Sequence, residues 1–174
     1  MSTTSTTSQP LCIAVLSASD TRTPTDDRSG DLIRTSLQKV GHQIYCHEII
    51  REDFDILKNR VASLIDEPTV EVVILTGGTG ITRRDVSPDV VQALGTKYIP
   101  GFGELFRWLS YRDIGSSTIQ SRACAWLCTD TLVFSLPGST GAVKLALEEI
   151  LIPQLDIDHR PCNFAQLLPR VREY

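Results

Sequence analysis

Short apolar runs alternate with amphipathic stretches through the first half of the chain. The apolar runs cover residues 11–16, 43–50 and 70–75. Runs of this length are typical of strands buried on both faces of a parallel sheet. Between them, apolar residues recur at helical spacing, first at Ile33, Leu37 and Val40 and then at Leu57, Val61, Leu64 and Ile65. The order predicts an α/β fold, with right-handed crossovers and helices on both faces of a mostly parallel sheet.

Capping and breaking residues predict where the first helices begin and end. Ser29 is a candidate N-cap for the first helix, and Gly41 follows its last apolar position. Pro68 ends the second helix before the third strand. Pro88 occupies a favoured first-turn position and predicts the start of a short third helix.

The second half of the chain is predicted from similar patterns. Another helix is marked by Phe102, Leu105, Phe106 and Leu109. Residues 119–128 and 131–136 flank a polar turn; the second run predicts a strand, whereas the first fits both a strand and a helix. A last helix spans Val143 to Leu151, and Pro153 breaks or kinks it. The proline-marked tail from Arg160 is predicted to lie along the surface or a neighbouring subunit.

A glycine-rich loop directly follows the third strand and carries the main candidate chemistry. It reads Thr76-Gly77-Gly78-Thr79-Gly80, and Arg83-Arg84-Asp85 comes just after it. Three glycines in five residues let backbone N–H groups turn toward one point, which suits a phosphate. The arginines supply positive charge, and Asp85 is a candidate ligand for a divalent cation. The alternative is a glycine-rich turn that only ends the strand.

Two other loops are predicted to meet this glycine loop. If the first and third strands are neighbours, a ligand crevice opens at their carboxyl ends, and Ser19 and Asp20 would border it. Pro137-Gly138-Ser139 begins a second strand-to-helix junction, which suits an anion or is a plain helix cap. Two such junctions indicate a ligand with two anionic parts.

Several residues near these loops have alternative interpretations. Helix capping competes with metal binding for Asp85 and Asp89. Glu104 is interpreted as compensating a helix dipole in a first turn, while Arg107 and Arg122 are long enough to reach an anion. No Walker A spacing and no complete dinucleotide fingerprint is present. The three histidines lie outside these loops and are interpreted as structural or solvent-exposed.

Composition narrows the class of protein. A length of 174 residues predicts one domain, with residues 1–10 as a disordered Ser/Thr-rich tail and residues 11–174 as the folded part. The net charge of −4 argues against broad nucleic-acid binding. No run reaches the ~18 apolar residues of a membrane span. Five cysteines without a Cys-x-x-Cys pair favour a reducing, cytoplasmic compartment and no tightly bound metal.

The ordered motifs of residues 11–164 resemble the MoaB/MogA family of molybdenum cofactor biosynthesis, and the segments 116–122 and 160–164 resemble its MoaB branch. Five motifs carry the resemblance: Thr76-Gly77-Gly78-Thr79-Gly80, Arg84-Asp85-Val86-Ser87-Pro88-Asp89, Pro100-Gly101-Phe102-Gly103-Glu104, Ser121-Arg122 and Leu136-Pro137-Gly138-Ser139.

The resemblance implies a molybdopterin-binding fold, a three-layer αβα sandwich that is trimeric in many relatives and hexameric in some of the MoaB branch. It implies binding of molybdopterin and Mg-ATP, with transfer of AMP to the terminal phosphate of molybdopterin and release of pyrophosphate. Other proteins of the same pathway are further candidate partners. Because the attacking phosphate is already an anion at neutral pH, this reaction needs no general base, and a histidine is not required.

The resemblance also assigns roles to individual residues. Asp85 matches the family's essential aspartate and is the implied magnesium ligand, with Glu52 as a second catalytic carboxylate. The implied binding residues are Thr76, Gly77, Gly78, Thr79, Gly80, Ser19, Asp20, Glu104, Ser121, Arg122, Pro137, Gly138 and Ser139.

One position departs from the catalytic relatives. They carry an aspartate where this chain has Glu52, or Asp53 if the alignment shifts by one residue. Displacing a catalytic group by ~1 Å costs on the order of a hundredfold in rate. Ser139-Thr140 is a second departure. The alternative function is therefore a binding or carrier protein that holds molybdopterin without forming the AMP product.

Overall fold

The three apolar runs of the first half form neighbouring parallel strands. In the computed structural model, which describes residues 8–173, these strands are β1 (Cys12–Ala18), β2 (Gln43–Ile50) and β3 (Val72–Thr76). Strand β1 pairs in parallel with both β2 and β3. Every residue of β3 is buried, which explains its continuous apolar sequence. The predicted β-α-β-α-β unit is confirmed.

Three more strands complete a six-stranded sheet in the order β2-β1-β3-β6-β5-β4. They are β4 (Lys97–Tyr98), β5 (Cys124–Cys128) and β6 (Thr131–Leu136). Strand β6 is parallel to β3, whereas β5 runs antiparallel to β6 and β4 antiparallel to β5. The ambiguous run 119–128 divides, because residues Gly115–Gln120 form a 3₁₀ helix and only the end of the run is a strand. The two-residue β4 was not predicted.

Within residues 8–173, seven α-helices cover the sheet. They are α1 (Arg28–Lys39), α2 (Phe54–Ile65), α3 (Ser87–Leu94), α4 (Pro100–Ile114), α5 (Thr140–Ala146), α6 (Ile152–Leu155) and α7 (Phe164–Val171). Helices α2 and α3 bury Leu57, Val61 and Val90 against one face of the sheet. The other helices build the core of the opposite face, around Phe106 and Phe134. The predicted three-layer αβα sandwich is confirmed.

The start of α1 differs from the prediction. The N-cap is Asp27, whose carboxylate accepts the N–H of Gly30 at 3.1 Å, so the predicted cap at Ser29 is wrong. The Ser29 hydroxyl instead donates to the carbonyl of Gly138 at 2.8 Å. Both residue types cap helices well, and only the position of the neighbouring loop decides between them.

Pro153 alters the last predicted helix without ending it. After α5, residues Leu147–Leu151 form a π-helical turn that leads directly into α6, where Pro153 lies. A proline has no N–H to donate and its ring crowds the carbonyl four residues earlier. The wider turn, in which the N–H of Ile152 reaches the carbonyl of Leu147, accommodates that ring.

The C-terminal tail contains a helix that was not predicted. Helix α7 buries Ala165 and Leu168, and the ring of Phe164 lies 5.8 Å from that of Phe134 in the core. The tail therefore contributes to the core of this chain, which the prediction that it lies along the surface or a neighbouring subunit did not include. Its apolar residues Phe164, Ala165, Leu167, Leu168 and Val171 recur at helical spacing, but the run is short and contains Pro169, a residue that usually ends a helix.

Residues 1–7 of the predicted N-terminal tail lie outside the described residues, while the hydroxyl of Ser8 donates to Asp158 at 2.9 Å. Within residues 8–173, no helix has the length and apolar character needed to cross a membrane.

The cap of α7 yields a stability prediction. Asn163 is buried, its side-chain oxygen accepts the N–H of Gln166 at 2.8 Å, and its amide donates to the carbonyls of Ile157 and His159. Asn163→Ala should lower the free energy of unfolding by about 1–3 kcal/mol, because buried partners lose their bonds. Urea denaturation measures this change. Asn59→Ala, on the exposed face of α2, is the control and should shift stability by no more than about 0.5 kcal/mol.

Candidate functional site

Four loops meet at one edge of the sheet because β1, β2, β3 and β6 are parallel. Their carboxyl ends lie at Ala18, Ile50, Thr76 and Leu136. Helix α1 leaves this edge toward one face and α2 toward the other, which opens the predicted crevice between the loops.

The glycine loop needs its glycines for backbone reasons. Gly77 has φ +105° and Gly78 has φ +63°, conformations that side-chain-bearing residues rarely adopt. A Cβ at Gly77 would overlap the carbonyl of Ala18, so the loop lies directly against the end of β1. The N–H of Gly77 donates to Leu136 at 2.9 Å and thus extends the sheet. The loop crosses the crevice in van der Waals contact with its neighbours.

Two carboxylates approach this loop from different elements. A Cβ at Gly78 would overlap the carboxylate of Glu52, and one at Gly80 would lie 2.8–3.0 Å from that of Asp85. Burial, together with the negative charge of Asp85, raises the pKa of Glu52 above its usual value. The two acids therefore lie close enough to repel each other across the glycine loop.

Asp85 is held in its ionised form. One carboxylate oxygen accepts the N–H of Thr82 at 2.8 Å and its hydroxyl at 2.6 Å. Partial burial opposes ionisation, but the bonds from Thr82 and Gly80 and the charge of Arg122 outweigh it and lower the pKa of Asp85. An aspartate whose pKa is lowered, placed beside the glycine loop, suits a cation ligand.

The alternative alignment, with Asp53 as the site carboxylate, does not agree with the structure. Asp53 is the N-cap of α2, and its carboxylate accepts the N–H groups of Asp55 and Ile56, both at 3.1 Å. Glu52, one residue earlier, is the acid that faces the glycine loop.

The donor set at this point fits a hard divalent cation. Besides the two carboxylates, the hydroxyl of Ser87 is buried beside Gly78 and lacks a hydrogen-bond partner within the described part of the chain. No cluster of three or more His, Cys, Asp or Glu residues suited to a metal occurs among residues 8–173. Two carboxylates and a hydroxyl match a magnesium ion that keeps water and substrate oxygens as its other ligands.

Neither Asp85 nor Asp89 caps helix α3, although the capping interpretation of these two residues required it. The N-cap position is Val86, and no side chain makes a capping bond there. Asp89 instead forms an ion pair with Arg122 at 2.8 Å. The capping interpretation of Asp85 and Asp89 is therefore wrong.

Arg122 bonds extensively to the glycine loop. Its Nε donates to the carbonyl of Gly80 at 2.6 Å, one terminal nitrogen donates to that of Asp85, and its backbone N–H donates to that of Thr79. The other terminal nitrogen faces Asp89. The guanidinium predicted to reach an anion is thus engaged with protein groups.

The loop after β1 supplies an ion-pair link between loops. Asp20 pairs with Arg84, which follows the glycine loop, and lies 3.7 Å from Arg51, which follows β2. The hydroxyl of Ser19 accepts the N–H of Arg22 at 3.1 Å and so shapes this loop. Ser19 and Asp20 therefore border the crevice, as predicted, and Asp20 brings two arginines to it.

The Pro137 loop is held by residues that sequence reasoning missed. Arg22 donates to the carbonyl of Gly138 at 2.7 Å, beside the bond from Ser29. Arg22 also pairs with the buried Asp27, whose carboxylate lies 2.9 Å from the ring of His47. Burial opposes ionisation of Asp27, but bonds from His47 and Gly30 contribute to a lowered pKa. No short motif connects these positions, and their only sequence signal is polar residues near strand ends.

Pro137, Gly138 and Ser139 lie against the glycine loop. The hydroxyl of Thr76 donates to the carbonyl of Pro137 at 2.9 Å, and a Cβ at Gly138 would stand 3.3 Å from Gly77. Ser139 accepts the N–H of Ala142 at 3.3 Å and is the N-cap of α5. Ser139 therefore acts as a helix cap at the border of the site.

A cleft of about 220 Å³ opens beside these two loops. It is lined by five predicted residues: Thr79, Gly80, Ser121, Pro137 and Ser139. Phe106 and Ala142 add apolar surface.

Glu104 does not line this cleft. It is exposed at the fifth position of α4, so its predicted place in the first helical turn is wrong. The helix begins at Pro100, earlier than the dipole interpretation required.

Comparisons with known proteins agree with this geometry. Residues 14–157 match the family model described as "Probable molybdopterin binding domain". The chain is 44% identical to molybdenum cofactor biosynthesis protein B of Escherichia coli K12, covering 94% of this chain and 96% of that protein. It is 49% identical to the protein of the same name from Bacillus subtilis 168, covering 81% and 84%. The chain belongs to the MoaB family of molybdenum cofactor biosynthesis proteins.

A solved structure extends the comparison with the MoaB family to three dimensions. The crystal structure of a molybdenum cofactor biosynthesis protein B has a TM-score of 0.86 to this chain at 37% identity, covering 95% of this chain and 98% of that one. The resemblance identified from five motifs is confirmed. The C-terminal helix α7 lies beyond the matched domain model, which ends at residue 157.

The repulsion between Glu52 and Asp85 predicts a pH-dependent gain in stability for Glu52→Gln. Because the pKa of Glu52 is raised on folding, its ionised form costs the folded state free energy above that pKa, and the cost disappears below the ordinary value of 4.5. Without added cation, Glu52→Gln should therefore unfold at a higher temperature at pH 7, with a gain under about 1 kcal/mol because solvent screens the pair.

The gain should shrink as the pH falls and vanish below about pH 4.5, where Glu52 is protonated in both states. Thermal unfolding at several pH values measures it. Asp53→Asn is the control: it keeps a capping oxygen and should show no such gain. Equal unfolding temperatures of wild type and Glu52→Gln at pH 7 would contradict the repulsion.

Proposed function

We propose that this protein acts in molybdenum cofactor biosynthesis by binding molybdopterin and Mg-ATP and transferring AMP to the terminal phosphate of molybdopterin. The observation that carries this proposal is the convergence of Glu52 and Asp85 on the glycine loop, at the carboxyl edge of the sheet. Two mutually repelling carboxylates beside backbone N–H groups suit a cation and a polyphosphate together.

The proposed reaction is an adenylyl transfer in a single displacement at the α-phosphorus of ATP. An oxygen of the molybdopterin phosphate attacks the α-phosphorus of ATP and forms a new P–O bond. The P–O bond between the α-phosphorus and the bridging oxygen breaks, and pyrophosphate leaves with the electron pair. Because the nucleophile is already an anion, the protein must position two anions and neutralise charge rather than remove a proton.

Named residues supply these tasks in the proposal. Asp85 and Glu52 would hold the magnesium ion, which supplies Lewis-acid neutralisation of the phosphate charge when bound. Thr76, Gly77, Gly78, Thr79 and Gly80 form the proposed binding edge for the nucleotide phosphates. Two positively charged side chains, those of Arg84 and Arg51, lie beside one carboxylate, that of Asp20. The excess positive charge can attract a polyphosphate into the crevice.

The pterin side of the proposal uses the neighbouring cleft. Ser121, Pro137, Gly138 and Ser139 lie at or beside the 220 Å³ space next to Gly80, so a ligand there would place a phosphate near the glycine loop. The cleft offers apolar wall from Phe106 and hydroxyl groups from Ser110 and Thr118, a combination that suits a heterocycle with polar substituents.

A reducing compartment such as the cytoplasm fits the thiols of this chain. All five cysteines are free, and burial, the largest effect, raises the pKa of Cys124 to about 11 and of Cys128 to about 12. Buried neutral thiols act as small apolar side chains rather than as metal ligands.

The first test is direct detection of product. Purified protein incubated with molybdopterin, magnesium and ATP should form adenylylated molybdopterin, measured by mass spectrometry. Asp85→Asn should lower the rate by a factor of roughly 100 or more, because it removes the charged cation ligand. Asp53→Asn, which changes an adjacent helix cap, should keep most of the activity. Product formation by Asp85→Asn at the wild-type rate would refute the magnesium role.

Substitution of Glu52 tests the importance of its side-chain length. If the extra methylene misplaces the carboxylate, Glu52→Asp should raise the rate by up to about a hundredfold. Single-turnover kinetics at saturating magnesium separates this effect from substrate affinity. A slower Glu52→Asp variant would show instead that this site is adapted to glutamate.

A second candidate function is molybdopterin binding without adenylyl transfer. One observation favours it: a carboxylate oxygen of Asp85 already accepts two bonds from Thr82, which compete with a cation. In that case, the protein should retain molybdopterin at micromolar concentration in equilibrium dialysis, form no product above background and bind with the same affinity when magnesium is removed.

We also propose that the protein self-associates through α4 and the following 3₁₀ helix. Trp108, Tyr111 and Ile119 are 60%, 62% and 79% exposed, and Leu105 and Ile114 of α4 are exposed as well. A concentration of exposed large apolar side chains on one helix and the turn after it is typical of an interface between proteins. Light scattering should therefore give a mass of at least three chains, and Tyr111→Asp should lower it. Lys144→Asp, on α5, is the control for an added acid.

A further inference from the structure

We propose that Arg122 is a positioning residue that holds Asp85 and the glycine loop in place, rather than a residue that binds the anionic ligand through its charge. This role rests in part on the proposed function, because it concerns the same cation-binding aspartate. It differs from the interpretation that sequence suggested, in which a long cationic side chain reaches for a phosphate.

The geometry of the guanidinium carries the proposal. Its Nε donates to the carbonyl of Gly80 at 2.6 Å, and a terminal nitrogen donates to the carbonyl of Asp85. These two carbonyls begin and end the segment 80–85, so one planar group bridges both ends of it. The backbone N–H of Arg122 adds a third bond, to the carbonyl of Thr79 at 2.9 Å.

The remaining guanidinium nitrogen is also engaged. It contacts both carboxylate oxygens of Asp89, at 2.8 and 3.0 Å, and Asp89 lies in the first turn of α3. The charge of Arg122 is thereby balanced within the protein. A phosphate could bind the Arg122 side chain only by displacing the hydrogen bonds that hold the glycine loop and the ion pair to Asp89 at the start of α3.

The segment that Arg122 bridges is otherwise held by bonds between Thr82 and Asp85 and by the ion pair of Arg84 with Asp20, none of which joins its two end carbonyls to another element. Ile81, Thr82, Arg83 and Arg84 are all exposed, and Ile81 is 74% exposed despite its apolar side chain. An exposed segment that starts at a glycine samples many conformations unless its ends are tied. Because Asp85 is its last residue and its carbonyl accepts a bond from Arg122, the bridge contributes to the backbone position of that carboxylate.

Lysine cannot reproduce this arrangement. A guanidinium presents several donors in one rigid plane, whereas an ammonium group is a single point of charge on a flexible stem. Arg122→Lys therefore keeps the charge and loses the bridge between Gly80 and Asp85. It separates positioning from electrostatic attraction, and Arg122→Gln removes both.

The test measures loop order and cation affinity in the folded protein. Hydrogen exchange resolved to peptides that cover residues 80–85 should be about tenfold faster in both Arg122→Lys and Arg122→Gln than in wild type, with exchange of β3 unchanged. Affinity for Mn²⁺, followed by electron paramagnetic resonance, should fall about tenfold in both variants through the displaced Asp85.

Arg107→Lys is the matched control. The guanidinium of Arg107 donates to the carbonyls of Ser121 and Ala123, on the same segment as Arg122, without contacting the glycine loop. This variant should leave the exchange of residues 80–85 and the Mn²⁺ affinity within twofold of wild type.

The outcomes separate this proposal from the proposed function. Wild-type exchange of residues 80–85 in both Arg122 variants, or wild-type exchange and Mn²⁺ affinity in Arg122→Lys alone, would overturn the positioning role. If wild type forms no adenylylated molybdopterin but the Arg122 variants exchange faster, the proposed reaction fails and the positioning role holds. If Mn²⁺ does not bind wild type, the exchange comparison alone decides the role of Arg122.

Discussion

The close approach of Gly77 to the end of β1 is the constraint on which the rest of the site depends. The carbonyl of Ala18 occupies the place where a side chain of residue 77 would begin, and φ there is +105°. Only glycine satisfies both conditions without strain. This contact lets the chain cross from β3 over the carboxyl edge of the sheet, so that the neighbouring loops meet around it.

The loops around that crossing are joined by polar bonds from several elements. Arg122 ties the glycine loop to β5, while Arg22 and Ser29 tie the Pro137 loop to the start of α1. Asp20 links the loops after β1 and β3 through Arg84. Each contact joins residues far apart in sequence. The site is therefore a property of the assembled sheet edge, and its groups are oriented before any ligand arrives.

Within this set of fixed loops, the repulsion between the carboxylates of Glu52 and Asp85 costs the folded state free energy. Asp85 is stabilised in its charged form, and its charge together with burial raises the pKa of Glu52. Folded proteins tend to keep such a cost only where function uses it. In the proposed function, a cation bound between the two acids would remove this cost.

The sequence by itself determined the fold class and the position of the glycine loop after the third strand, because apolar periodicity and glycine spacing are local patterns. The family resemblance made Glu52 and Asp85 candidates but left Asp53 open, since a shift of the alignment by one residue exchanges Glu52 for Asp53. Only the tertiary structure decided that Asp53 caps α2 and that Asp27, not Ser29, caps α1. It also decided that Arg122 bonds to the protein itself, that Glu104 lies outside the first turn of α4, and that the tail forms α7. These outcomes depend on which distant backbone groups come within hydrogen-bond distance or packing contact, and no pattern of spacing along one chain encodes those distances.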